Sequence, residues 1–154
     1  MIVYRLCKEK YKTDLSGKGA EKAGGRWNSK GTAVVYTCNS RALCTIEIAV
    51  HTPLGNIPLD YHILKIEIPD NKSIIYQLKK SELPENWKSL PHPNSTQIIG
   101  DNFIRENKYL LIKVPSAIVK GDYNYLINPY HKDFSKVKIL ETELFEFDER
   151  LFVK

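Results

Sequence analysis

No run in this 154-residue chain stays apolar for the roughly 20 residues that a membrane span needs. The opening MIVYRLCKEK turns charged too soon for a secretory signal peptide. A chain lacking both is expected in the cytoplasm, without membrane attachment. Cysteine is scarce. Cys7, Cys38 and Cys44 are odd in number and lack paired ligand spacing, which argues against a disulfide framework or a zinc site and reads as buried or incidental thiols. His51, His62, His92 and His131 are scattered, with no pair at metal-helix spacing, so no metal is expected and each reads as a surface or capping residue. Neither GxxxxGK(S/T) nor GxGxxG occurs, so a bound dinucleotide would not be held in P-loop or Rossmann fashion. Asn94-Ser95-Thr96 matches a glycosylation sequon, a coincidence without a secretory signal. Repeats and low-complexity tracts are also missing. The composition, 42% hydrophobic and 27% charged, is that of one globular domain over residues 1–154.

What is present is unevenly charged. Residues 1–32 carry eight Lys/Arg against three acids, and ETELFEFDER near the C-terminus carries five acids against one Arg. A basic first segment suits nucleic acid, an anionic small molecule or an acidic protein partner, and equally a plain solvated surface.

Strand-like runs are MIVYRL, AVVYT, YHILKIEIP, SIIYQL and KYLLIKVPS, with KVKILETELFEF as one or two more. NSRALCTIEIAVH reads as a helix capped by Asn39 or Ser40, and STQIIGDNFIREN as an amphipathic helix weakened by Gly100. Lys8 to Thr32 reads as a long glycine-bearing loop, long enough to suggest a function. Strands outnumber helices without regular alternation, which predicts an α+β domain.

Several residues fit their surroundings poorly. GGRWNSKG sets Arg26 beside Trp27 in a tight glycine turn, and an arginine in a glycine loop can grip a pyrophosphate bidentately. Glu47 shares a helical face with Leu43 and Val50. It is either a helix-edge glutamate reaching solvent or a site carboxylate paired with Arg26 or a substrate hydroxyl. Tyr36 lies between the glycine loop and that helix, as core packing or as a ring for a planar ligand. Ser116 ends a strand after Pro115 with no GxSxG elbow, so a hydrogen-bonding hydroxyl suits it better than a nucleophile. Asn124, Asn128 and His131 crowd a turn-rich stretch, where shaping the backbone is the plainer reading of the asparagines.

Taken in order, YRL, GKGAEKAGGRWNSKG, VVYTCNSRALCTIEIAVH, LPENWKSLPHPNSTQIIGDNF and VPSAIVKGDYNYLINPYHKDF resemble the RES-domain family, the toxin half of RES–Xre toxin–antitoxin pairs. The resemblance implies an ADP-ribosyltransferase-like α+β fold with a split β core around an NAD cleft. NAD+ would be a substrate, not a resident cofactor, and would lose its nicotinamide–ribose bond to water, phosphate or a protein side chain. By motif, Arg26 would bind NAD+, Tyr36 would face the nicotinamide, Glu47 would be the catalytic carboxylate and Ser116 would complete the site. Arg5 is a further phosphate contact, and Asn128 is assigned to substrate binding. Cys44 stands where alanine is more usual, a matter of packing. The implied partners are an Xre-type helix-turn-helix antitoxin and a second toxin copy, with nucleic acid reached only through the antitoxin. An acidic group of that antitoxin is expected on the basic first loop. The alternatives are a protein-modifying ADP-ribosyltransferase, a basic RNA-directed toxin or binding module, and an inactive interaction domain.

Overall fold

A computed structural model describes residues 1–153. Its strands are β1 (Ile2–Lys8), β2 (Val35–Cys38), β3 (Tyr61–Glu67), β4 (Ile75–Gln77), β5 (Leu111–Pro115), β6 (Tyr123–Ile127) and β7 (Lys138–Phe145). The helices are α1 (Lys18–Ala23), α2 (Arg41–Ala49) and α3 (Asn94–Glu106). The strands lie in the order β4-β5-β6-β2-β1-β3-β7, with only β4 and β5 parallel. This is the expected α+β class.

The sheet is nearly two sheets. β1 pairs with β3 from Ile2↔Glu67 to Lys8↔Tyr61, and β2 pairs with β6 along its whole length. β1 and β2 share one pair, Tyr4↔Cys38. Beyond that pair the two halves diverge, and a cleft opens at the divergence. This seam is the split in the β core.

Side-chain alternation along the strands sorts the core into two faces. Val3, Val35, Leu64, Ile66, Leu111 and Ile127 pack together on one face. The other face carries two separate clusters. Leu6, Ile63 and Phe152 pack with Leu43 and Cys44 of α2, while Ile112, Val114 and Leu126 pack with Trp27 and Phe103 of α3. The gap between the clusters coincides with the seam, so the packing keeps it from filling.

Local chemistry explains the helix ends. Ser40, rather than Asn39, caps α2, its hydroxyl accepting from the Leu43 N–H. Gly100 is required by packing, because a Cβ there would fall 1.6 Å from the Trp27 carbonyl oxygen. Two expectations need correction. The first loop contains α1 and a 3-10 turn at Glu9–Tyr11. The turn-rich segment after Pro115 contains β6, whose weakly alternating YNYLI buries both Leu126 and Ile127 at its end. KVKILETELFEF, expected as one or two strands, forms the single edge strand β7.

Candidate active site

Glu47 stands on α2 where that helix crosses the seam, half-buried. Its Oε1 accepts from Asn124 Nδ2 at 2.7 Å and from Ser116 Oγ at 3.2 Å. Ser116 is itself fixed. Its Oγ accepts from the N–H groups of Ile118 and Val119, each at 3.1 Å. With its lone pairs so engaged, the hydroxyl proton is directed at Glu47, and Ser116 serves as a rigid donor rather than a nucleophile. Both bonds go to Oε1, so Oε2 has no protein partner among the described residues.

Asn124 is the second residue of β6, the strand the sequence did not show. A carboxylate can only accept, so its amide nitrogen must face Glu47 and its Oδ1 must point elsewhere. That Oδ1 is buried and has no hydrogen-bond partner. A buried acceptor without a partner is costly, and a ligand donor would relieve it. Asn128 is different. It is fully buried, donates to Asn107 Oδ1 at 2.8 Å and accepts from the Tyr130 N–H. The structure therefore gives Asn128 a turn-building place and brings Asn124 to the site. Nothing in the local pattern YNYLINP separates the two. Only the register Cys38↔Asn124 puts Asn124 beside the seam.

Two cavities meet at Glu47. One, of about 340 Å³, is bounded by Arg5, by Gly17, Gly19 and Gly24 of the first loop, and by Thr37. The other, of about 400 Å³, is bounded by Arg26, Lys88, His51 and His92. Tyr36, Glu47, Ile48 and Asn124 line both. The result is a two-lobed cleft with a carboxylate at its waist and an arginine in each lobe.

The arginines are held by main-chain carbonyls, not by acids. Arg5 Nη1 donates to the Asp14 carbonyl at 2.8 Å. Arg26 Nη1 donates to the carbonyls of Trp87 and Ser89. Arg26 does not pair with Glu47. Its Nη2 and Nε have no partner among the described residues, so the fork keeps donors for an anion. Burial pulls its pKa down, opposed by the nearby Glu47 charge, and a guanidinium stays charged nonetheless.

Tyr36 sets the first loop. Its hydroxyl donates to Asn28 Oδ1 at 2.8 Å and accepts from the Trp27 N–H at 3.1 Å. Asn28, fully buried, ties three loop carbonyls with its amide, those of Ala20, Ser29 and Thr32. A Cβ on Gly25 would come within 2.7 Å of the Tyr36 oxygen, which is why a glycine precedes Arg26. Burial pushes the Tyr36 phenol well above its ordinary range, so it cannot serve as a base at neutral pH. Trp27 is an anchor, 3% exposed, with its ring 6.2 Å from that of Trp87.

His51, exposed as expected, and His92, half-buried, both line the Arg26 lobe. His92 is held below its ordinary pKa by burial and then by Arg26 and His51. No sequence signal marked either one, since the loop that carries His92 meets α2 only in three dimensions.

A profile of the RES domain matches residues 2–148. The chain belongs to the RES domain family. This RES chain is 36% identical to the Prs ADP-ribosylating toxin of Sphingobium sp. (strain YBL2), over 92% of its own length and 88% of that protein's. It is 35% identical to Toxin Res of Yersinia enterocolitica, over 98% of its length and 99% of the relative's. Among solved structures, the fold is similar to one in the M. tuberculosis MbcT–MbcA toxin–antitoxin complex. The TM-score is 0.72 at 18% identity, covering 98% of this chain and 86% of the other. No described helix is long and apolar enough to cross a membrane.

Proposed function

We propose that this protein is the toxin of a toxin–antitoxin pair and that it consumes NAD+ by breaking the nicotinamide–ribose bond. The observation that carries the reading is the Glu47 carboxylate, held at the waist of a two-lobed cleft by Asn124 and Ser116. NAD+ has two lobes joined by a pyrophosphate, and each lobe of the cleft carries an arginine.

The chemistry suits the residues. When the bond from the ribose C1′ to the pyridinium nitrogen breaks, its electron pair stays on nitrogen and nicotinamide departs neutral. No general acid is required. The ribose is left as an oxocarbenium-like cation, which a carboxylate stabilises directly or through a ribose hydroxyl. Oε2 of Glu47 is the atom available for that task, with Oε1 fixed by its two donors. The Tyr36 ring would bound the nicotinamide, and Asn124 Oδ1 would accept from an amide or hydroxyl of the substrate. The acceptor then forms a bond to C1′ and releases one proton if it is water.

Transfer of ADP-ribose to a protein is the second reading, favoured by the name of the Sphingobium relative. The structural neighbour supports an antitoxin partner. An Xre-type antitoxin, a toxin homodimer and action in the cytoplasm are the matching proposals. The test is incubation of purified protein with NAD+, following nicotinamide and the ADP-ribose product by mass spectrometry. Release with free ADP-ribose supports hydrolysis, and release only when a protein acceptor is added supports transfer. RNA binding without any change in NAD+ would instead favour the nucleic-acid alternative.

A further inference from the structure

A larger groove, of about 800 Å³, lies beyond the end of the edge strand β4. One wall is the segment 77–88, and the other is the end of β5 with the start of β6. Its floor is apolar, with Leu83, Pro115, Trp87 and Tyr123. Lys79, Lys80, Lys88 and Lys120 stand around it against Glu85 as the single acid of the lining. None of these four lysines makes an ion pair among the described residues, in contrast to Lys12, Lys65 and Lys136. An apolar trough ringed by unpaired cations calls for a ligand that is both acidic and apolar.

We propose that this groove docks an acidic peptide segment of a partner protein, with an aliphatic side chain seated on the apolar lining that includes Leu83 and Pro115. Nucleic acid fits less well. Single strands bind by stacking bases on open aromatic faces. Here Lys88 Nζ sits 5.2 Å from the centre of the Trp87 ring, and Lys113 Nζ sits 4.1 Å from that of Tyr123. Both rings already face a cation, and no arginine lines the groove. A bilayer is excluded by shape, since the apolar residues lie in a concavity. The groove also adjoins the cleft. Lys88 lines both, and the Trp87 carbonyl holds Arg26.

The test uses the full chain and a fluorescein-labelled peptide of alternating glutamate and leucine, read by fluorescence polarisation. The variant Lys79→Glu/Lys80→Glu/Lys120→Glu reverses three exposed charges that touch neither Glu47 nor the arginines. Its expected affinity is roughly tenfold weaker or worse, from small surface terms that add, with NAD+ turnover unchanged. A control of equal charge, Lys72→Glu/Lys132→Glu/Lys138→Glu, should bind as the native protein does. Equal loss in both triples overturns the proposal, because the attraction would then be only net charge. Tighter binding of an oligouridylate or of anionic lipid vesicles than of the peptide overturns it as well. Because binding is read without NAD+, failure here leaves the NAD+ reading untouched.

Discussion

Replacing Asn124 by alanine tests how Glu47 is held. The change removes a 2.7 Å charge-assisted hydrogen bond and leaves the 3.2 Å bond from Ser116 in place. Bonds to charged groups contribute about 1.5–3 kcal/mol. At about 1.4 kcal/mol per decade, that corresponds to roughly a ten- to hundredfold fall in the rate of nicotinamide release. Stability should change little, since Glu47 is only half-buried and water can replace the lost donor. Asn124→Asp is the sharper companion. It sets a second carboxylate against Glu47, one of the pair must hold a proton, and the acid limb of the pH–rate profile should move to higher pH. Initial rates by chromatography, with thermal melts in parallel, provide the readout. If N124A and N124D both turn over NAD+ at the native rate and pH optimum, with unchanged melts, the assigned placement of Glu47 is wrong.

Ser116→Ala should differ from N124A in kind, because it also orphans the N–H groups of Ile118 and Val119. At about 1–3 kcal/mol for an unsatisfied buried group, the melting temperature should fall by several degrees along with the rate. Gly100→Ala drives a Cβ into the Trp27 carbonyl, so a loss of at least about 1–3 kcal/mol is expected in denaturant titrations. Tyr36→Phe removes the hydroxyl that joins Asn28 to the Trp27 N–H, and should raise the KM for NAD+ through a looser Arg26 loop. His92 supplies a pH dependence. Its folded pKa is depressed, so near and below an unfolded value of about 6.5 the unfolded chain binds more protons and stability falls as pH drops. The loss between pH 7.5 and 5.5 should be smaller in His92→Gln; an identical slope in both proteins contradicts that assignment.

Residues whose signal is local were readable before the fold. Glu47 broke the apolar face of α2, and Arg26 sat in a glycine turn that its neighbours require. Those two carry the substance of the candidate site. Helices α2 and α3 and six strand-like runs followed from periodicity and β-branched content; α1 did not, and neither did β6, since YNYLI alternates weakly and sits among turn residues. That miss decided the asparagines. Asn128 looked as available as Asn124, and only strand register set one beside Glu47 and the other beneath Asn107. Long-range closure is likewise what holds Arg26. Its carbonyl partners at Trp87 and Ser89 lie more than 60 positions along the chain, beyond any local pattern. The free Oε2 of Glu47 belongs to the same class, because it is a property of the assembled cleft.

The proposed role of Glu47 is to stabilise a cationic ribose as nicotinamide leaves. It is tested most directly by comparing nicotinamide release from NAD+ by the native protein and by Glu47→Gln, which keeps the shape and removes the charge. Steady release by the native chain and a loss on the order of 10²–10³ in the variant are expected, as for other removed electrostatic stabilisers. Undiminished release by the folded Glu47→Gln protein would contradict it.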